Sequence, residues 1–487
     1  MQLTKTNFIQ FLKCPESLWL LKNKPQDYPH GETSLFLEKL VQEGYEVEEY
    51  AQQLFEGGLD LSGNKNANYT SDKLKEEYQY FFQPTFVTSK GALAIIDILE
   101  KNDDGTYTIY EVKSSTSIHT DSKHNHLKDA CFQKYVMTEC GYTIDKVHII
   151  YLNKEFVKNG DIDPSELLIV EDVTDKVNAI YSETVNEING ALKFINQAAQ
   201  PTQCSCVKNT RSNHCDAFDY FNDIPEHSIY ELNGIRAKKI HELTDLGVID
   251  IKDVPSNVDL TERQRLQVDS LLGQAPMINK IEIKNALENL EFPLHFIDYE
   301  TFPTAIPKVD GLSPHQHLTF QVSIHTMNKN GDITHFEYLS EVMELPVKML
   351  QQMQNFTGVE GTFISWYAAF ETGRNNDMMR MHPEFQPYLN YINNHMFDLE
   401  KLFFTSYVDY RFQGRTSIKY VLPILEPKFS YSELEIQNGT MALDTWGRLM
   451  LQPQSFEDAA AVRKHLLEYC KLDTLAMVKI YQQLKNL

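Results

Sequence analysis

The hydrophobic positions change rhythm three times along the chain. From residue 34 the stretch "SLFLEKLVQEGYEVEEYAQQLF" spaces its apolar residues three and four apart, which predicts a helix. The runs "ALAIIDILE", "YTIYEVK" and "KVHIIYLN" follow and read as strands. A helical stretch, "LKDACFQKYVMTECG", precedes the last of them. Between the first two strands lies "KNDDGT", whose Asp104-Gly105 pair signals a hairpin turn. Residues 223–290 read as small helices punctuated by Gly234 and Gly247, with Pro255 ending the first stretch. The remainder opens on the strand-like "LHFIDYETFP" and closes on a long helical pattern, "DAAAVRKHLLEYCKLDTLAMVKIYQQL". The pattern predicts an α/β multidomain chain with units at 1–222, 223–290 and 291–487.

Two polar residues interrupt the apolar run "LHFIDYETFP". Asp298 and Glu300 are two apart, so on a strand they share one face. Two carboxylates that close are costly to bury without a cation. More acidic residues follow in order: Glu371 after "FISWYAAF", Asp398 in "HMFDLEKLFF", and Asp473 in "EYCKLDTLAM". Tyr469 and Asp473 are four apart, one turn along a helix face.

A second group converges in the first half. The hairpin folds "YTIYEVK" back along the strand holding Asp97, and Glu111 and Lys113 share a face. Two carboxylates and an ammonium are what phosphodiester hydrolysis needs: ligands for magnesium or manganese, and a cation near the attacked phosphate.

Composition narrows the partners. The chain has 487 residues, 42% hydrophobic and 11% aromatic, with a net charge of -23 and pI near 5.1. That balance argues against non-specific coating of nucleic acid or an acidic membrane. It is compatible with a nucleic-acid enzyme whose acidic centre carries metal. No apolar run approaches the length of a membrane span. The first residues, "MQLTKTNFIQFLKCPESLWLLKNK", read as a folded amphipathic helix, so a cytoplasmic, bacterial-type compartment is expected. Of seven cysteines, three crowd into "CSCVKNTRSNHC", which points to a metal. Cys131, Cys140 and Cys470 lie on helical patterns and read as core.

The set Asp97, hairpin, Glu111-Val112-Lys113 resembles the PD-(D/E)XK nuclease signature. "EGYEVEEYAQQLF" resembles the upstream helix of RecB-like members, with Glu46, Glu48 and Glu49 open for its metal-side group. "DACFQKYV" resembles their downstream helix, with Gln133 as its glutamine. Cys14 before these motifs and Cys204, Cys206 and Cys215 after them are similar to the layout of RecB-like nucleases that hold a 4Fe-4S cluster. Zinc is the alternative for four thiolates.

The C-terminal part resembles the DEDD exonucleases of the tyrosine subclass. Asp298-x-Glu300 matches their first motif, Phe370-Glu371 the second and Tyr469-x3-Asp473 the third. The resemblance implies an RNase H-like fold, two divalent ions held by Asp298, Glu300, Glu371 and Asp473, and Tyr469 orienting the attacking water. Asp398 would be a supporting residue. Glu371 stands where the motif has Asp, and Tyr367 where it has Asn. The middle segment resembles a helix-hairpin-helix, which would turn Lys238 and Lys239 toward a nucleic-acid backbone; a plain helical linker is the other reading. As a whole the chain resembles an uncharacterised bacterial two-nuclease family: a restriction-endonuclease-like core, a small helical connector and an RNase H-like domain. The expected activity is metal-dependent hydrolysis of DNA in repair, recombination or defence, by analogy 3′ to 5′ for the C-terminal part. The alternatives are RNA processing and a nucleic-acid-binding scaffold with degenerate sites.

Overall fold

The computed structural model describes every residue except 32–34, 122–123 and 430. Ser34, the first residue of the first predicted helix, therefore lies outside the described residues. The fold is mixed α/β, and the chain divides into two compact units. The first comprises Met1–Asp223 together with Thr304–His315, the second Ile224–Pro303 and Gln316–Leu487. The helical stretch after residue 223 thus groups with the C-terminal sheet, and the segment Thr304–His315 groups with the N-terminal unit. Among the described residues, no helix is long and apolar enough to cross a membrane.

The first unit begins with helix α1 (Lys5–Lys13), capped by Thr4, and continues with α2 (Leu35–Gln52). A six-stranded mixed sheet follows the order β1 (Leu59–Asp60), β2 (Tyr80–Phe82), β3 (Ile98–Lys101), β4 (Tyr107–Lys113), β5 (Ile144–Leu152), β6 (Leu168–Asp172). Strands β3 and β4 form the expected antiparallel hairpin, pairing Ile98 with Tyr110. Gly105 takes the left-handed conformation that its turn demands (φ 83°). Helix α3 (His126–Glu139) crosses from β4 to the parallel β5, and α4 (Thr174–Ile195) closes the unit. The core between sheet and helices is apolar, with Ile109, Phe132, Val136, Ile149 and Ile188 all fully buried.

"ALAIIDILE" is not a single strand: Ala92–Ile95 pairs in a separate three-stranded sheet, and the ladder of β3 resumes at Ile98. Asp97 sits in the break. Its Oδ2 accepts the Val112 N–H at 2.8 Å, so a side chain interrupts what the apolar pattern reads as continuous.

The second unit starts with short helices, including α5 (Ala237–Asp245) and α6 (Glu262–Gly273). Its five-stranded sheet has the order β9-β8-β7-β10-β11, from β7 (Leu294–Pro303), β8 (His317–Met327), β9 (Ile333–Leu339), β10 (Thr362–Ser365) and β11 (Met396–Asp398). Strand β8 is antiparallel to both neighbours, while β10 and β11 run parallel to β7. Helix α7 (Ala368–Met381) follows β10, α8 (Ile418–Leu425) and α9 (Gly439–Leu451) follow β11, and α10 (Ala459–Lys485) ends the chain.

Alternation along β7 sorts its residues. Ile297 and Tyr299 face a cluster with Met349, Met378 and Tyr388, and the Tyr299 hydroxyl donates to Asn375 Oδ1 at 3.0 Å. Phe296, Asp298 and Glu300 take the other side. There Phe296 packs on Tyr481 and Asp298 meets Cys470, both on α10. The sheet period of two therefore aims both carboxylates at one helix.

Candidate metal centres and active sites

In the first unit, β4 carries the acid and the cation side by side. Glu111 is fully buried, and Lys113 Nζ lies 2.7 Å from its Oε1. Gln133, also fully buried on α3, donates its amide to Glu111 Oε2. Asp97 reaches the same place from the strand break, half-buried and acting electrostatically with Glu111. The structure thus gathers Asp97, Glu111, Lys113 and Gln133.

Two further residues belong to this cluster. Lys5, at the start of α1, forms an ion pair with Glu111 Oε1. Asp129 on α3 pairs with Lys113 at 2.5 Å. Asp129 opens the quoted "DACFQKYV" one helical turn before Gln133, a spacing that marks it. Lys5 is 106 residues from its partner and carries no local signal. Of the three candidates on α2, Glu48 reaches this cluster: it interacts electrostatically with Glu111 and Lys5 and accepts from Gln83. Glu46 instead pairs with Lys308, and Glu49 is exposed.

Charges explain the titration. Burial, then Glu111, pushes the Asp97 carboxyl up to about 8. Burial raises Glu111 as well, but Lys113 and Lys5 overcome it and hold the group below the carboxylate range. A cavity of about 670 Å³ adjoins the cluster, lined by Lys5, Lys113, Asp129, His119, His126 and His315 among others. His315, in the segment Thr304–His315, donates from Nε2 to the Ser114 carbonyl at 2.5 Å. Ala305 and Ile306 of that segment are buried in the first unit's core, and the Ala305 N–H donates to Glu43 Oε1 at 3.2 Å.

The four predicted cysteines come together. Cys14 sits between α1 and a short helix at Pro15–Asn23, held extended (φ -161°) because Pro15 follows it. Its Sγ is 3.2 Å from that of Cys204, which is 2.7 Å from Cys206 and 3.3 Å from Cys215. All four are free thiols, and their sulfurs lie within 4.8 Å of one another, so the set can hold a metal. Glu16 ties the loop down, accepting from the Ser205 N–H at 3.1 Å.

In the second unit, oxygens of Asp298, Glu300 and Asp473 lie within 4.8 Å of one another. Tyr469 and Asp473 stand on α10, buried at 3% and 7% exposure. Glu371 lies outside that set. It belongs to the first turn of α7, rather than ending a strand as the apolar run "FISWYAAFE" reads. It is buried nonetheless, and its Oε2 has no hydrogen-bond partner among the described residues. Asp398 accepts the Tyr367 N–H at 3.3 Å.

Burial first, then mutual repulsion, raises these acids. Asp298 is pushed well above its ordinary range by burial, then by Asp473, Glu300 and Glu371. Glu300 rises to about 8 by burial and Asp473, and Glu371 to about 8, chiefly by burial. Burial also raises Asp473, while Tyr431, which donates to its Oδ1 at 2.6 Å, works the other way.

Sequence reasoning missed Tyr431 and Lys419. Lys419 Nζ lies 3.3 Å from the Tyr469 hydroxyl and 2.8 Å from the Gln437 carbonyl, and it faces the rings of Tyr431 and Tyr469. It lies on α8, and one lysine on a helix carries no signal of its own. Gly439, the first residue of α9, brings that helix start against the acids: a Cβ there would stand 3.5 Å from Glu300 Oε2. Cys470 is fully buried but not only core, since its Sγ is 3.5 Å from Asp298 Oδ2. On α5, Lys239 pairs with Glu242 at 2.7 Å and Lys238 is exposed, with left-handed Gly234 and Gly247 on either side of the helix.

A family model described as "Domain of unknown function (DUF2779)" matches residues 295–417. That span includes Asp298, Glu300 and Glu371 and stops before Tyr469 and Asp473. No curated protein matches the chain. Six chains of solved structures do. One of them, titled "Crystal structure of SSO0001", is 11% identical to this chain. The match covers 41% of this chain and 87% of that one, with a TM-score of 0.18.

Proposed function

We propose that this protein is a metal-dependent nuclease with two sites, acting on DNA. The observation that carries the reading is the meeting of half-buried Asp298 with buried Glu300 and Asp473, three acids with oxygens within 4.8 Å, one helical turn from Tyr469. Three carboxylates at that spacing, with raised proton affinity and an orphaned oxygen on nearby Glu371, fit a divalent cation. Magnesium or manganese, when bound, supplies the charge that clamps attacking and leaving oxygens of a phosphodiester. Asp298, Glu300 and Asp473 would hold it, with the unpartnered Glu371 Oε2 as a further candidate ligand. Tyr469 orients the attacking water, and Lys419 beside its hydroxyl offers a cation to the phosphate. The strand order β9-β8-β7-β10-β11, with β8 antiparallel to its neighbours, supports an RNase H-like reading of this unit.

In the first unit, Asp97 and Glu111 would hold the ion with Glu48 nearby, and Lys113 would sit toward the attacked phosphate. The β3–β4 hairpin with its downstream helix supports a restriction-endonuclease-like core. For the four cysteines, the sequence resemblance favours a 4Fe-4S cluster. Zinc is the second reading, since four thiolates gathered within 4.8 Å are its ligand set as well. Metal analysis and visible absorption of the purified protein separate the two.

The direct test incubates the full chain with end-labelled single-stranded DNA, duplex DNA and RNA in magnesium or manganese. Cleavage of DNA is expected, reduced in part by Lys113→Ala and in part by Asp298→Ala. Preference for RNA would move the reading to RNA processing, and no cleavage with either metal would leave a binding scaffold.

A further inference from the structure

Tyr367 joins β10 to α7 in a conformation that tyrosine rarely takes. Its φ and ψ are 71° and 63°, the left-handed region, where a Cβ is crowded and Gly or Asn fits more easily. The job done by its backbone does not require a tyrosine. The Tyr367 N–H donates to Asp398 Oδ1 at 3.3 Å, and its carbonyl accepts the Phe370 N–H at 3.0 Å. Any residue but proline supplies both. Nor does the ring stabilise the core: the residue is 58% exposed. A strained backbone carrying an exposed aromatic ring is a feature that function, rather than folding, explains.

Its place says which function. Tyr367 caps the helix whose first turn carries Glu371, and Asp398, which it holds, acts electrostatically on Glu371. The residue therefore stands beside the second unit's acids, joined to Glu371 through its helix and through Asp398. Resting on the nuclease reading of those acids, we propose that Tyr367 is a stacking platform for a nucleobase of the strand end held there. An exposed ring accepts the π-face of any base, so the contact favours a base-bearing end without selecting its sequence. Stacking of this kind changes affinity by about tenfold.

The test is fluorescence anisotropy of the full chain in calcium, with single-stranded DNA and RNA oligonucleotides whose 3′-terminal nucleotides are normal or abasic. Wild type is expected to bind the normal end about tenfold more tightly, on one polymer or both. Tyr367→Phe keeps this preference, while Tyr367→Ala and Tyr367→Asn abolish it. Tyr367→Asn in addition raises the melting temperature, because asparagine relieves the strained backbone. Equal binding of normal and abasic ends by wild type, no binding at all, or an unchanged preference in Tyr367→Ala would overturn the proposal. A preference for normal ends without cleavage in manganese would sink the nuclease reading and leave the stacking intact.

Discussion

Replacing Asp473 by Asn should stabilise the metal-free protein and remove its response to manganese. In the fold, Asp473, Asp298 and Glu300 bring oxygens within 4.8 Å. At an effective dielectric constant of about 20, two charges at that separation repel by about 3.5 kcal/mol. Protonation limits the cost. Glu300 is pushed to about 8, first by burial and next by Asp473. Holding such a group at pH 7 against an ordinary carboxyl costs about 3 kcal/mol. Asn carries no charge to bury or repel, and its Oδ1 still accepts from Tyr431. A net gain of about 1–3 kcal/mol is expected, or about 3–8 °C in melting temperature for a unit of this size. The sign follows from the raised acids. Below the ordinary carboxyl range both folded and unfolded chains are protonated and the variant gains little. As pH rises toward about 8 the wild type loses stability that the variant keeps, so the gap widens. Thermal melts from pH 5 to 8 in EDTA and in manganese read this out. Wild type should gain with manganese and the variant should not. A variant that melts below wild type in EDTA at pH 8, or a gap that does not change with pH, would refute the reasoning.

Lys5→Ala should cost about 2 kcal/mol in urea denaturation, because Glu111 stays fully buried with only Lys113 opposite it. An unchanged midpoint would show that the pair is not formed in solution. Cys204→Ser should lose the metal found in wild type by elemental analysis and become more sensitive to proteolysis near the cysteine loop; an unchanged metal content would remove Cys204 from the centre. A chain cut to residues 1–223 lacks Ala305 and Ile306, which are fully buried in the wild-type core, and lacks His315 from the cavity wall. It should show a lower melting temperature than the first unit of the full chain and partial recovery when residues 304–315 are appended by a linker.

What the sequence made legible follows the reach of its patterns. Residues close along the chain were placed well: Glu111 and Lys113 by the period of a strand, Tyr469 and Asp473 by the turn of a helix, the β3–β4 hairpin by Asp104-Gly105. Cys204, Cys206 and Cys215 are gathered by their clustering, and Cys14 joins them only through the resemblance to the RecB-like layout. Signals failed where tertiary contact decides. Asp97 breaks its strand by accepting from Val112, an event no hydrophobic pattern records. Lys5 finds Glu111 across the fold, and Lys419 and Tyr431 reach the acids from helix and loop positions that read as ordinary surface. The segment Thr304–His315 could not be assigned to the first unit from its place between two strands of the second. Among Glu46, Glu48 and Glu49, only packing could choose, since all three lie within one turn of helix.

The most direct measurement of the central claim is the rate of product release from end-labelled single-stranded DNA in manganese. Wild type should cleave, Lys113→Ala and Asp298→Ala should each retain the share of the other site, and the double variant should fall to the rate of the metal-free control. Cleavage by the double variant at the wild-type rate would place the chemistry outside both clusters and contradict the account.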